Sequence, residues 1–142
     1  MNKNLDEVMH TVLKEYSFFG YVAHKMNKQA STDIKTSGHK ITNGNITLYF
    51  NEQVLKTNSP IQNLLMIVHE ISHIVLMHPL RRDGRENNLW MIACDMAVNT
   101  MFPEMKNYCK DYIFPGTFNI LGSTVFLEEG KEAEWYYNKL SE

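Results

Sequence analysis

The stretch His69-Glu70-Ile71-Ser72-His73 has the residue types and the spacing that metal-assisted hydrolysis requires. On an α-helix the two histidines lie about 40° apart around the axis and one turn apart along it, so both imidazoles can bind one ion. Glu70 leaves the helix about 100° from His69, close enough to hydrogen-bond a water on the metal without being a ligand. The pattern predicts a Zn²⁺ site with His69 and His73 as ligands and Glu70 as general base.

The competing interpretation is that these three residues share this spacing by chance and are ordinary polar residues of a buried helix. The apolar residues around them cover nearly the whole circumference of the predicted helix: Ile61, Leu64, Leu65, Ile67, Val68, Ile71, Ile74, Val75, Leu76 and Met77. Two imidazoles and a carboxylate are costly to bury unless something satisfies them, and a metal ion does so. This setting favours the metal site.

A tetrahedral catalytic zinc needs a third protein ligand, and the candidates are Asp95 and His78. Asp95 is a carboxylate in a strongly apolar helix, where it needs a cation. On a continuous helix His78 points about half a turn away from His69, although the following Pro79 lets the chain leave the helix there. Asp95 is therefore the predicted ligand and His78 the alternative. Asn99, one turn further, either orients a ligand imidazole through its other nitrogen or caps its helix.

The helix that carries the motif has a clear start. Ser59 and Gln62 form a capping-box pattern around Pro60 at the first helical position, so the helix is predicted to begin at Pro60. It is predicted to end at His78-Pro79. Apolar periodicity predicts further helices over residues 5–16, from Asn87 or Asn88 to Met101, and over residues 129–140, with a short one near residues 21–26.

A small sheet is predicted before the central helix. Apolar residues alternate on both sides of Thr42-Asn43-Gly44-Asn45, and the Asn-Gly pair favours a two-residue hairpin turn. Residues 32–50 should therefore form a small antiparallel sheet, and residues 107–127 a loop with short strands. The predicted fold class is α+β, with the sheet packed on the central helix and with further helices around it.

Composition limits the classes of function. The chain has 142 residues, 44% hydrophobic and 21% charged, which favours one globular domain over residues 1–142. A net charge of -2 gives no reason to expect nucleic acid as a partner. Met1–Glu7 has no apolar core for a signal peptide, and the uninterrupted apolar run Leu64–Val68 is too short for a bilayer, so we expect a cytoplasmic chain that does not bind membranes. Cys94 and Cys109 are expected to be reduced, without a function.

The chain resembles the bacterial putative metallopeptidase domain found N-terminal to von Willebrand A-like domains. The residues that carry the resemblance are His69–His78, the Arg81-Arg82 to Arg85 turn, Trp90 to Ala93, Asp95 and Asn99. Weaker similarity extends to Ser17–Gly20, Leu48–Asn51 and Glu132–Tyr136. The resemblance implies a zincin-like fold and peptidase activity, while 142 residues leave no room for the neighbouring domain.

The spacing from His73 to Asp95 is also similar to the arrangement in gluzincins. There, the helix after the H-E-x-x-H helix contributes an acidic ligand, and an acid one turn later lies behind it. Asp95 and Asn99 would take those two places, with an Asp in place of the longer Glu and an amide in place of an acid. The similarity is one of position and not of residue identity.

Two functions of different classes follow from the motif. The first is a zinc-dependent peptidase or amidase, whose peptide or protein substrate pairs with an edge strand such as Ile46–Phe50. The second is a zinc-binding regulatory or interaction module, which keeps the fold without hydrolysis and works through an unidentified partner protein. Glu70 favours the enzyme, because a purely structural metal site has no use for a carboxylate beside its ligands. Candidates for stabilising the transition state are Arg81, Arg82, Tyr112, Tyr136 and Tyr137.

Overall fold

The computed structural model describes residues 3–142, with side chains from Leu5 onward. Residues 1 and 2, which belong to the Met1–Glu7 stretch considered above, lie outside the described part. The chain divides into two compact units, Met1–Pro79 and Leu80–Glu142, and each is described by itself.

From residue 3 onward, the first unit contains four helices and three strands. In chain order they are α1 (Lys3–Glu15), α2 (Ser17–His24), β1 (Asn27–Ala30), β2 (Ser37–Thr42), β3 (Asn45–Phe50), α3 (Glu52–Thr57) and α4 (Pro60–Val75). A short 3-10 helix, His78–Leu80, follows at the boundary. The second unit contains α5 (Asn87–Asn99), α6 (Met105–Tyr108), β4 (Thr117–Ile120), β5 (Ser123–Phe126) and α7 (Ala133–Leu140). The α+β class is confirmed, and the short α3 was not predicted.

The three-stranded sheet of the first unit is mixed, with the strand order β1-β3-β2. The predicted hairpin is present: β2 and β3 pair antiparallel, and Asn43 and Gly44 have φ of 51° and 79°, as a type I′ turn requires. The antiparallel sheet predicted for residues 32–50 is confirmed in β2 and β3, and β1, which lies before that range, adds a third strand that pairs parallel with β3. The sequence of β1, Asn-Lys-Gln-Ala, has no apolar alternation, so nothing local marks it as a strand.

The place of β3 in the sheet overturns one expectation about substrate binding. Because β1 and β2 flank β3 on either side, the strand that contains Ile46–Phe50 is central and its backbone is already paired. It cannot accept a substrate strand. Within the described residues, β2 pairs with β3 on one side only and is therefore an edge strand of this sheet.

Helix α4 begins as predicted. The Ser59 side chain accepts from the backbone N–H of Gln62, and the Gln62 side chain accepts in return from the N–H of Ser59, with Pro60 between them. The helix packs against α1, α2 and β2, and every residue from Asn63 to His73 is buried. It ends at Val75, three residues before the predicted end, and Met77 takes a left-handed conformation with φ of 59°.

One helical stretch of the described residues, Pro60–Leu80, is long and apolar enough to cross a bilayer, with a mean hydropathy of 1.2. Of its apolar window of 18 residues, 61% is buried inside the protein. Burial of this extent, together with His69, Glu70 and His73 in its middle, is typical of a core helix.

The second unit is built on α5 and α7, which pack against each other. Its core is apolar and consists of Trp90, Ala93, Cys94, Met96, Ala97, Leu127, Ala133 and Tyr136. Glu86 caps α5, and its carboxylate accepts from the backbone N–H groups of Asn88 and Leu89. The predicted caps Asn87 and Asn88 are therefore already inside the helix. Cys94 and Cys109 are both free thiols, as expected.

Candidate functional site

His69 and His73 lie on successive turns of α4 and direct their rings at each other. Their Nε2 atoms are 3.0 Å apart, and each residue is only 6% exposed. The ring centroids are 4.6 Å apart with nearly perpendicular planes. The i, i+4 spacing thus brings two imidazole nitrogens to one point, as the sequence predicted.

These two nitrogens suit a zinc ion. A tetrahedral zinc with Zn–N distances of about 2.0–2.1 Å holds its ligand nitrogens about 3.3 Å apart. The observed separation of 3.0 Å is within a few tenths of an ångström of that value. Imidazole nitrogens are donors that suit zinc, as they also suit copper, iron and nickel. The residues present therefore fit the metal that the motif implies.

Glu70 is buried at 7% exposure and faces strand β2. The Ser37 hydroxyl donates to its Oε2 at 2.8 Å, and Nδ1 of His39 lies 2.8 Å from its Oε1. Each carboxylate oxygen has two lone pairs, so both oxygens can still accept another hydrogen bond. The carboxylate is held in place and keeps its capacity to take a proton.

The environment of Glu70 keeps its carboxylate ionised. Burial alone raises the pKa of a carboxyl group, but the hydrogen bond to His39 and the nearby charges of His69, His73 and His39 outweigh it. The pKa of Glu70 is therefore below its ordinary value. A general base must be unprotonated to act, and Glu70 meets that condition at neutral pH.

Ser37 and His39 are site residues that the sequence analysis missed. They lie 33 and 31 residues before Glu70, so no local spacing connects them to the motif. In the β2–β3 register, Ser37 and His39 pair with Phe50 and Leu48, which are both buried. Directly opposed residues share one face of a sheet. Two polar residues on the apolar face of a predicted hairpin were the signal that could have revealed them.

His78 is close to the histidine pair, which corrects the expectation that it points away. It is 3% exposed, and its Nδ1 lies 2.9 Å from Nδ1 of His73. The expectation assumed a continuous helix to His78, whereas α4 ends at Val75 and the chain reverses through Met77. His78 therefore reaches the side of the His73 ring that faces away from His69.

Asp95 and Asn99 lie on α5 in the second unit. Asp95 is half-buried, and it follows Cys94, whose thiol pKa is raised to about 12 by burial first and by the charge of Asp95 second. Asn99 is buried, and its amide donates to the carbonyl of Ile113 at 2.8 Å. The roles of Asp95 as a metal ligand and of Asn99 behind a ligand imidazole stay predictions.

Three of the candidates for transition-state stabilisation make structural contacts. Arg81 forms an ion pair with Glu134. The Tyr136 hydroxyl donates to the carbonyl of Glu128 at 2.7 Å, and the Tyr137 hydroxyl accepts from the backbone N–H of Glu86 at 2.9 Å. All three contacts lie within the second unit.

Comparison with known proteins places the chain in a family. No solved structure matches it. An uncharacterized protein of Thermotoga maritima is 26% identical over 106 residues, which cover 72% of this chain and 27% of that protein. The chain thus spans about a quarter of the length of the relative it matches. A family model described as "Putative metallopeptidase domain" matches residues 1–141. With the match spanning both units, the chain belongs to this metallopeptidase domain family.

Proposed function

We propose that the chain is a zinc-dependent metallopeptidase of zincin-like arrangement, which hydrolyses a peptide or amide bond with Glu70 as general base. The family membership supports a metallopeptidase in general terms. The finer assignment rests on one observation: the Glu70 carboxylate is held by Ser37 and His39 beside the His69–His73 pair. A metal site with a purely structural role has no need of such a fixed, ionised carboxylate.

Each residue has a separate task in this proposal. His69 and His73 hold the metal through their Nε2 atoms, and a bound zinc supplies an activated water and polarises the carbonyl that is attacked. Glu70 takes the proton that the attacking water loses and passes it to the leaving amine. Ser37 and His39 hold the carboxylate in the orientation that this transfer requires. His39 also covers the face of the His73 ring, since the two rings stack with centroids 5.2 Å apart.

In this proposal the substrate peptide pairs with strand β2, and not with β3. Thr36 and Asn51 are joined by a backbone hydrogen bond just before the first β2–β3 pair. Because hydrogen-bonded and non-hydrogen-bonded pairs alternate in an antiparallel ladder, the backbone groups of Ser37, His39 and Ile41 point away from β3. A peptide that pairs with this edge would lie beside the residues that hold Glu70.

Asp95 is the proposed third zinc ligand, and Asn99 the residue behind a ligand imidazole. The support is the spacing from the motif to the next helix and the chemistry of a half-buried carboxylate. Asp95→Ala should lower zinc affinity by orders of magnitude, because it removes a ligand. His78→Ala should have the smaller effect, and the reverse order would make His78 the ligand.

Metal content and one conservative variant test the function. The purified chain should hold about one zinc, and Glu70→Gln should keep that zinc while hydrolysis of quenched fluorogenic peptides falls by orders of magnitude. Glu7→Gln, at an exposed position of α1, is the matched control and should be fully active. Unchanged turnover in Glu70→Gln would leave the alternative function, a zinc-binding regulatory or interaction module.

The length of the relative bears on regulation. Since the match covers 27% of the Thermotoga maritima protein, the rest of that protein contains further segments. The resemblance noted in the sequence suggests that a von Willebrand A-like domain lies beside the metallopeptidase domain in this family. We include such a domain in the proposal, as the part through which partner proteins would bind. Activity of the chain alone and with an added neighbouring domain would test it.

A further inference from the structure

Both ring nitrogens of His73 have a histidine nitrogen as their neighbour. Nε2 lies 3.0 Å from Nε2 of His69, and Nδ1 lies 2.9 Å from Nδ1 of His78. The three residues are buried, with exposures of 6%, 6% and 3% for His69, His73 and His78. The proposed ligand His73 is thus the middle member of a row of three imidazoles.

The position of one proton decides whether His73 can bind a metal through Nε2. A neutral imidazole carries its proton on either Nδ1 or Nε2, and a nitrogen that binds a metal must present its lone pair. His73 is therefore ready for the metal only when its proton is on Nδ1. A buried Nδ1–H needs an acceptor, and Nδ1 of His78 lies at hydrogen-bond distance and can be that acceptor.

The opposite direction of this hydrogen bond has the opposite effect. If His78 donates to His73, then the proton of a neutral His73 is on Nε2 and points at His69. In that form His73 cannot be a ligand through Nε2. The tautomer of His78 therefore decides between the two forms, because His78 can accept only when its own proton is on Nε2.

We propose that His78 is a positioning residue that accepts the Nδ1 proton of His73 and so keeps Nε2 of His73 free to bind the metal. This inference rests on the proposed metal site and deepens it. It also separates two roles for His78: as an acceptor behind His73 it lies outside the ligand set, and Asp95 is still required as the third ligand.

The shape of the chain after α4 gives His78 this position. Helix α4 ends at Val75, Met77 takes a left-handed conformation, and the 3-10 helix starts at His78. A longer α-helix would have carried the ring to the opposite face. The early end of the helix is thus what places His78 against the outer nitrogen of His73.

Two substitutions at one position test the proposal. His78→Phe keeps a planar ring but has no acceptor, whereas His78→Asn keeps an acceptor oxygen near the position of Nδ1. Zinc affinity is measured by competition with a chromogenic chelator, and folding by circular dichroism. His78→Phe should weaken zinc binding by about 10- to 100-fold, and His78→Asn should recover most of this loss. His24→Ala, at an exposed histidine of α2, is the control and should bind zinc normally.

Nitrogen-15 NMR of the histidine side chains reads the proton directly in the wild-type protein. We expect His73 to carry its proton on Nδ1, and a coupling through the hydrogen bond to Nδ1 of His78, both with and without zinc. A proton on Nε2 of His73, or His78→Phe with unchanged zinc affinity, would overturn the proposal. Equal and much larger losses in both His78 variants would also overturn it, because they would identify His78 as a ligand.

Zinc binding and the NMR spectrum together distinguish a failure of this proposal from a failure of the proposed function. If the wild-type chain binds no zinc, the proposed function fails, and the zinc-free spectrum still decides the direction of the hydrogen bond. His73 as the donor then supports the role of His78, and His78 as the donor contradicts it.

Discussion

Helices α4 and α5 are the main buried helices of the two units, and they differ in what they do with buried polar residues. Helix α4 buries Asn63 and Ser72, whose side chains donate to the backbone carbonyls of Leu55 and Val68. It also buries His69, Glu70 and His73, and these three contact titratable or hydroxyl side chains, among them His78, Ser37 and His39. In α5 the buried polar residue is Asn99, whose amide donates to a backbone carbonyl. A backbone partner satisfies a polar group and fixes a loop, as in many structural cores. A network of titratable side chains is instead typical of a functional site.

The largest expected effect is the removal of zinc, which tests the role of α4. If zinc binds only the folded chain, free zinc at 1,000 times its dissociation constant stabilises the fold by about 4 kcal/mol. A chelator should remove that stabilisation and lower the melting temperature. Hydrogen exchange should show lost protection in α4 and unchanged protection in α7. Loss of protection in α5 as well would support Asp95 as a ligand, and an unchanged α4 would contradict the metal site.

The second prediction concerns the contacts that hold Glu70. His39→Ala removes the partner of Glu70 Oε1 and the ring that stacks on His73, but it leaves every proposed ligand in place, so the chain should still hold about one zinc. Turnover should fall by about 100-fold, because a misplaced catalytic group costs about that much. Ser37→Ala should cost less, because it removes a hydrogen bond from a neutral hydroxyl. Full activity of His39→Ala would mean that β2 plays no part in catalysis.

The third prediction tests whether the second unit contributes through packing. The hydroxyl of the fully buried Tyr136 donates to the carbonyl of Glu128 and accepts from the N–H of Lys131. Tyr136→Phe should lower the free energy of unfolding by about 1–2 kcal/mol, because it leaves these groups without that partner. Zinc affinity should not change. Tyr137→Phe is the control with the smaller expected effect, because its partner, the N–H of Glu86, is exposed to water.

The smallest effect concerns the cap of α5. Hydrogen bonds from the backbone N–H groups of Leu89 and Asn88 lower the pKa of Glu86 below its ordinary value of 4.5. A lowered folded-state pKa stabilises the fold above the ordinary value, and this stabilisation is lost as the pH falls through the lowered pKa. Glu86→Ala should therefore lower the melting temperature at pH 7, and the difference from wild type should close on acidification. Glu132→Ala is the control, because Glu132 makes no side-chain cap bond at the start of α7.

The motif and its helix were predictable because they depend on neighbours along the chain. The capping box around Pro60 joins residues three positions apart, and the pairing of His69 with His73 follows from the helical repeat. The hairpin turn at Asn43-Gly44 depends on two residues that readily adopt positive φ. Interactions between residues only a few positions apart in the sequence close small loops, so the local sequence is enough to specify them.

The contacts that complete the site were decided by the tertiary structure. Ser37 and His39 reach Glu70 only because the hairpin packs on α4, more than thirty residues along the chain. The parallel pairing of β1 with β3 likewise joins distant segments, and β1 itself has no strand pattern. Helix α4 ends early without a glycine, because Met77 adopts a conformation that an ordinary side chain seldom takes. The sequence alone was enough to identify His69, Glu70 and His73 as candidate site residues, because their spacing is local. Long-range packing determined which side chains hold Glu70 and turned His78 toward His73, because such contacts depend on the whole chain.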